Sequence, residues 1–356
     1  MNICHNTPPY QNVNTQNKEH YGALDGMRAY AAIGIVMMHV LSNLTIKPSS
    51  NYFTLTIIPY FTNFVFLFMM ISAFGVSCGY YTKIKNNQIT PEAFYKKRYK
   101  RILPFFAIMV LIDVLWEHNI SALLEGFADL TLCFGLYPNA HLQVIGVGWF
   151  IGLVFLFYMI YPFFVFLMDN KRRAWFTLFI AVALSLIGIE YFGSNKFFDS
   201  PMGFGRNNIV YSFPFFVVGG IIYLFRHSLA EWVKNNAFKM FALCLLITVG
   251  TFVAINYNIP DYIPTLILFT TWLVYGLGSK DIVLNNSIVR YLSKISMEIY
   301  LCHMLFFRVV SKAHLERYID NSNLLYIFTL ICTLIGAIIF SHICKFYVIG
   351  KIKWLK

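Results

Sequence analysis

The chain has 356 residues, 58% of them hydrophobic and only 12% charged, where a soluble domain carries roughly 25% charged residues. No aqueous fold could hide that much apolar surface, which excludes a disordered chain, a secreted disulfide scaffold and an ordinary cytosolic enzyme. The net charge of +12 does not call for nucleic acid, because membrane proteins concentrate Lys and Arg in their cytoplasmic loops.

The expected fold is all-α and polytopic. Residues 1–20 are polar and rich in Asn and Gln, and read as a short cytoplasmic tail without a cleavable signal. Ten apolar segments follow, at 25–44, 57–80, 102–116, 147–168, 174–190, 209–225, 240–256, 262–279, 295–310 and 323–344. Most approach the roughly 20 residues that a bilayer requires, and within a membrane only helices satisfy their own backbone groups at this length. The third and ninth are the shortest. Residues 21–345 therefore form one membrane domain, and 346–356 a basic cytoplasmic tail.

Loop charge sets the orientation. With both termini in the cytoplasm, 22 Lys and Arg side chains fall inside and 6 outside (Lys47, Lys196, Arg206, Arg308, Lys312 and Arg317). A miscounted span would scramble that bias, so ten spans and the orientation support each other. The longest outer loop, 117–146, has no Lys or Arg but holds Glu117, His118, Glu125, Asp129 and His141. A short interfacial helix there is expected to lid an outward-facing site. Seven cysteines are scattered without a C-x-x-C pair and read as small core hydrophobes. No metal site is evident.

Ionisable groups in membrane helices are functional candidates. Arg28 and His39 stand 11 residues apart in the first segment. That is close to three whole turns, so they share a face, about 16 Å apart along the axis. Asp25 and Arg28 also suit an interfacial ion pair. Arg98 and Arg101 open the third segment one turn apart, a spacing that suits phosphate binding as well as plain positive-inside charge. Asp113 lies higher in that segment, at about the depth of His39, where a carboxylate could orient an imidazole if the helices are neighbours. Ser296, Tyr300 and His303 share a face of the ninth segment, and Trp149-Phe150 opens the fourth.

These residues carry a family resemblance. The run Leu24-Asp25-Gly26-Met27-Arg28 through His39 resembles the Arg-x10-His signature of the acyltransferase-3 family of integral-membrane O-acyltransferases. Arg98-x-x-Arg101 with Ile102-Leu103-Pro104 resembles its second signature. Phe66 to Phe74 resembles its second-helix block, Trp149-Phe150 with Tyr158 its mid-chain block, and Ile295-Ser296 through His303 its block near the C-terminus, all in family order. Ala73 replaces a usual glycine, and Val154 stands near the place of an acidic residue that many members carry. The chain looks most like the stand-alone sugar O-acetyltransferase branch.

The resemblance implies transfer of an acyl group, usually acetyl, from cytoplasmic acyl-CoA as co-substrate to a hydroxyl. Arg98, Arg101 and Arg28 would hold the CoA, His39 would be the general base, and Asp113 would hold His39. Tyr300, His303 and Trp149 would meet the acyl group or the acceptor. A covalent acyl intermediate and direct transfer both remain open. The acceptor would be a sugar of a surface polysaccharide or lipid-linked glycan, or else a small hydrophobic molecule, at a bacterial inner membrane. The competing expectation is a ten-helix transporter or flippase without acyl-transfer chemistry.

Overall fold

The computed structural model describes residues 20–136, 145–193 and 204–352. The expected tail residues 1–19, His141, Lys196 and the last four residues lie outside these, as does Cys4. The described residues contain helices and no strand. The principal helices are α1 (Gly22–Asn43), α2 (Phe64–Lys85), α3 (Pro91–Glu117), α4 (Ile120–Leu130), α5 (Trp149–Leu167) and α6 (Lys171–Phe192). They continue with α7 (Ile209–Asn235), α8 (Ala237–Asn256), α9 (Tyr262–Gly278), α10 (Ser287–Lys294), α11 (Ser296–Ser311) and α12 (Ser322–His342).

Each of the ten apolar segments falls on a helix, and α10 is added on the N-terminal side of the ninth. Seven helical stretches among the described residues are long and apolar enough to cross a membrane: 22–43, 53–85, 149–167, 171–192, 209–235, 237–256 and 322–351. The other three segments differ for identifiable reasons. Helix α3 carries five Lys and Arg in its first turns, while α9 and α11 have only 17 and 16 residues. The loop after α3 contains a short helix, α4, where one was expected. It packs Ala122 and Gly126 against α3 and exposes Ile120, Leu123, Leu124 and Phe127.

Asparagine and threonine fix the helix starts. Thr90, Asn119, Asn170, Asn208, Asn286 and Asn321 each accept a backbone N–H in the first turn of α3, α4, α6, α7, α10 and α12. Helix α1 sits centrally, packed on α2, α9, α10, α11 and α12. Its inner faces are lined by Ala23, Gly26, Ala29, Ala31, Ala32 and Gly34, and such small residues let helix backbones approach closely. At Gly26 a Cβ would collide with the Leu284 carbonyl, so only glycine fits where the chain before α10 crosses α1. Ala73 packs its methyl against Gly219 of α7, so the glycine absent from α2 is supplied by the facing helix. Helices α6 and α8 lie at the edge and expose Phe176, Phe179, Leu184, Ile187, Leu246 and Val249, as lipid-facing helices do.

Helices α1, α3 and α11 run in one direction. Near their starts Ser293, just before α11, donates to Asp25 of α1 at 3.1 Å. Midway His303 meets His39, and toward the ends Arg308 of α11 meets Asp113 of α3. The bundle thus has an arginine end, with Arg28, Arg98 and Arg101, and a far end, with Asp113 and Arg308.

Candidate active site

At the arginine end Arg28 is half-buried and lies 3.4 Å from Asp25, the i,i+3 pair that its spacing suggests. Arg101 is exposed and close enough to Arg28 for the two charges to repel. Arg98 turns the other way, into the bundle. Its Nη2 donates to the Tyr80 hydroxyl at 2.9 Å, and its guanidinium stacks 4.6 Å from the Tyr80 ring and 5.6 Å from that of Tyr158. Its Nε is buried without a partner among the described residues. Tyr158 shares a 2.8 Å hydrogen bond with Ser72 and also lies within electrostatic reach of Arg28. Arg28 and Arg98 therefore share one tyrosine, Arg101 stands within repulsive reach of Arg28, and Asp25 is the only carboxylate paired to any of the three among the described residues. Like charges held together this way are unfavourable until an anion joins them.

About three turns along α1 from Arg28 is His39. Its Nδ1 lies 3.1 Å from the Ile35 carbonyl and 3.1 Å from Nε2 of His303, and the two rings are 4.9 Å apart. His303 has no exposed surface, and its Nδ1 lies 2.7 Å from the Tyr300 carbonyl. The Tyr300 side chain is only 3% exposed, and its hydroxyl donates to the Val147 carbonyl at 2.7 Å. Phe150 packs edge-on against Tyr300 at 5.6 Å. Of this group only the His39 and Trp149 side chains are partly open. The spacing of Tyr300 and His303 on one face is as expected, and both side chains are enclosed by protein.

Asp113 requires a correction. It does not hold His39: one carboxylate oxygen accepts from Arg308 at 2.8 Å and the other from the Ile145 backbone N–H at 2.9 Å. The reason is axial. Arg308 is five residues beyond His303, a rise of about 7 Å, so α11 brings an arginine to the level of Asp113 and a histidine to the level of His39. The Asp113 pair has a different role, because Ile145 is in a left-handed conformation (φ 46°) just before the Val147 carbonyl that receives Tyr300. Asp113 thereby fixes the turn that leads into Trp149.

Arg206 was counted in the sequence only as an outer charge. In the structure it precedes α7, bonds to Thr62 through Nη1, and stacks 5.8 Å from the Trp149 ring. It is within electrostatic reach of both His39 and Tyr300. The available signal was its rarity, one of six Lys or Arg on the expected outer side. Val147 acts through its carbonyl and left no signal at all. Among the described residues no three His, Cys, Asp or Glu side chains gather as metal ligands, and no disulfide joins the described cysteines.

The arrangement is an imidazole with one nitrogen engaged, set between a cluster of cations at one end and a single exposed arginine with an aromatic ring at the other. It can take a proton midway between the cation cluster and Arg206. Compared with known families, the chain matches the acyltransferase-3 model, described as an acyltransferase domain, over residues 21–342. Neither the curated proteins nor the solved structures gave a match.

Proposed function

The chain belongs to the acyltransferase-3 family and is a membrane acyltransferase, and from that premise we propose that it moves an acetyl group from cytoplasmic acetyl-CoA to a sugar hydroxyl of a surface polysaccharide or lipid-linked glycan. The observation that carries this reading is the state of His39. A carbonyl oxygen only accepts, so the 3.1 Å contact of Nδ1 with the Ile35 carbonyl requires the proton on Nδ1. The lone pair is then on Nε2, which has no partner among the described residues, and a neutral imidazole with an open lone pair is what a general base needs.

The chemistry follows from the groups present. Arg28, Arg98 and Arg101 bind the phosphates of the donor by charge-assisted hydrogen bonds. The pantetheine arm runs along α1 and brings the thioester to His39. The acceptor hydroxyl enters from the far end, where Trp149 and Arg206 meet the sugar. Its oxygen attacks the thioester carbonyl carbon while its proton passes to Nε2 of His39. The C–S bond then breaks, the electron pair leaves on sulfur, and the CoA thiolate takes the proton back from His39. In this reading all ten apolar segments cross the bilayer, with the arginine end and both termini in the cytoplasm of a bacterial inner membrane. The 22-to-6 division of Lys and Arg supports it.

The test is the O-acetyl content of host surface glycans, measured by NMR in a strain lacking the gene. Wild type should restore the acetyl signals, and His39→Ala at equal membrane abundance should not, a loss of at least about 100-fold for a general base. Restoration by both proteins would remove His39 from the chemistry. Restoration by neither would overturn the surface glycan as acceptor.

A further inference from the structure

His39 needs an orienting partner, and the carboxylate that could have served is occupied by Arg308 and Ile145. The hydrogen bonds around the second histidine supply the answer. His303 Nδ1 lies 2.7 Å from the Tyr300 carbonyl, which only accepts, so the His303 proton is on Nδ1. A neutral His303 then offers a lone pair at Nε2. That atom faces Nδ1 of His39 at 3.1 Å, and the Ile35 carbonyl independently requires a proton on that same Nδ1. The two assignments agree. Every proton in the chain from His39 through His303 to the Tyr300 carbonyl has one consistent place, and the only lone pair left over is Nε2 of His39.

We propose that His303 is the positioning residue of the reaction: its buried Nε2 accepts the Nδ1 proton of His39, holds that ring in the tautomer that leaves Nε2 free, and steadies the ring when it takes the acceptor's proton. This inference rests on the reading of His39 as the base. Ile35 alone does not suffice, because its carbonyl is already the acceptor for the backbone of α1 and His39 Nδ1 shares it one turn later. The arrangement performs the part that an aspartate has in a Ser-His-Asp triad, with a neutral acceptor in its place. Burial favours that substitution, since His303 has no exposed surface and an isolated carboxylate at such a site carries a heavy desolvation cost, whereas a neutral imidazole does not. The Tyr300 carbonyl completes the relay from within α11, so the helix itself sets the orientation of His303.

The test uses the full chain in lipid nanodiscs, labelled with [15N]histidine, without donor or acceptor. The His39 resonances are identified by their loss in His39→Ala. In wild type His39 should appear as one tautomer, protonated at Nδ1, with His303 also protonated at Nδ1. His303→Leu should turn His39 into a mixture of tautomers, while His303→Gln, which carries an amide oxygen at the reach of Nε2, should restore the single form. A wild-type spectrum with His39 protonated at Nε2 overturns the proposal without any variant. So does a single, unchanged His39 tautomer in His303→Leu.

A second arm measures transfer of label from [14C]acetyl-CoA into glycans of membranes from the host lacking the gene. His303→Leu should lower kcat at least about tenfold with little change in KM for acetyl-CoA, and His303→Gln should recover most of it. Equal kcat in wild type and His303→Leu overturns the proposal. Absence of transfer by wild type itself overturns the acyl-acceptor reading, and the tautomer spectra still decide the role of His303.

Discussion

The two ends of the bundle treat charge in opposite ways. At the arginine end, among the described residues, Arg28 and Arg101 stand within repulsive reach of each other, Arg98 has a buried Nε without a partner, and Asp25 is the one carboxylate paired to these arginines. At the far end Asp113 is saturated by Arg308 and the Ile145 amide, and Glu117 lies 3.9 Å from the same arginine. One end holds charge that a ligand would complete, and the other holds charge that the fold has already completed. The His39–His303 pair lies between them. In a membrane bundle, then, an ionisable residue is informative less by its presence than by what remains unsatisfied around it.

The largest effect should come from breaking the completed end. Asp113→Ala leaves Arg308 without its 2.8 Å partner and frees the turn before Trp149, and removing one member of such a buried pair costs about 3–5 kcal/mol. Thermal unfolding in detergent should show that loss. Asp113→Ala at wild-type stability would mean that the pair is ornamental and that the two ends do not differ as described.

The open end should respond in binding instead. Arg101→Ala should raise KM for acetyl-CoA by about 10- to 100-fold, as expected for a lost charge-assisted contact, and leave unfolding unchanged or slightly improved by relief of repulsion with Arg28. Steady-state kinetics with varied donor reads this. A fall in kcat at constant KM would place Arg101 with the chemistry and not with the donor.

The most gradual effect concerns Asp129 on α4, which is buried with neither oxygen bonded among the described residues. Burial, followed by the nearby Glu125 and Asp113 carboxylates, pushes its carboxyl up to about 8. The unfolded chain ionises this group near pH 4 and the folded chain only near pH 8, so folded protein binds the extra proton across that window. Stability should therefore decline as pH rises from about 4 to about 8, by at most about 1.4 kcal/mol per pH unit. Asp129→Asn should flatten that decline in a series of melting curves. A wild-type curve already flat would show that Asp129 finds compensation.

Much of this was legible in the sequence, for reasons that differ by residue. Arg28 and His39 lie on one unbroken helix, so their shared face follows from 3.6 residues per turn alone. Tyr300 and His303 share a face for the same reason. Which helix faces which is a tertiary fact, and there equal depth misled. Asp113 was matched to His39 by rise, but α11 carries both His303 and Arg308, and it presents the histidine to α1 and the arginine to α3. Arg206 sits outside any helix, where periodicity says nothing. The apolar signal is weakest in α3, α9 and α11, where charge at one end or a length of 16 or 17 residues dilutes it.

Gly26 has a consequence for the whole device. Because the Leu284 carbonyl occupies the space of a side chain there, α1 is pinned at the arginine end and cannot slide along its axis. From that fixed point the helix is a ruler: Arg28 marks one graduation and His39 another, about 16 Å on. Inserting a single residue between them would lengthen the ruler by only about 1.5 Å but turn the imidazole by roughly 100°, away from His303. Deleting one would turn it as far the other way. The interval of ten residues between arginine and histidine is thus a statement about angle before it is one about distance.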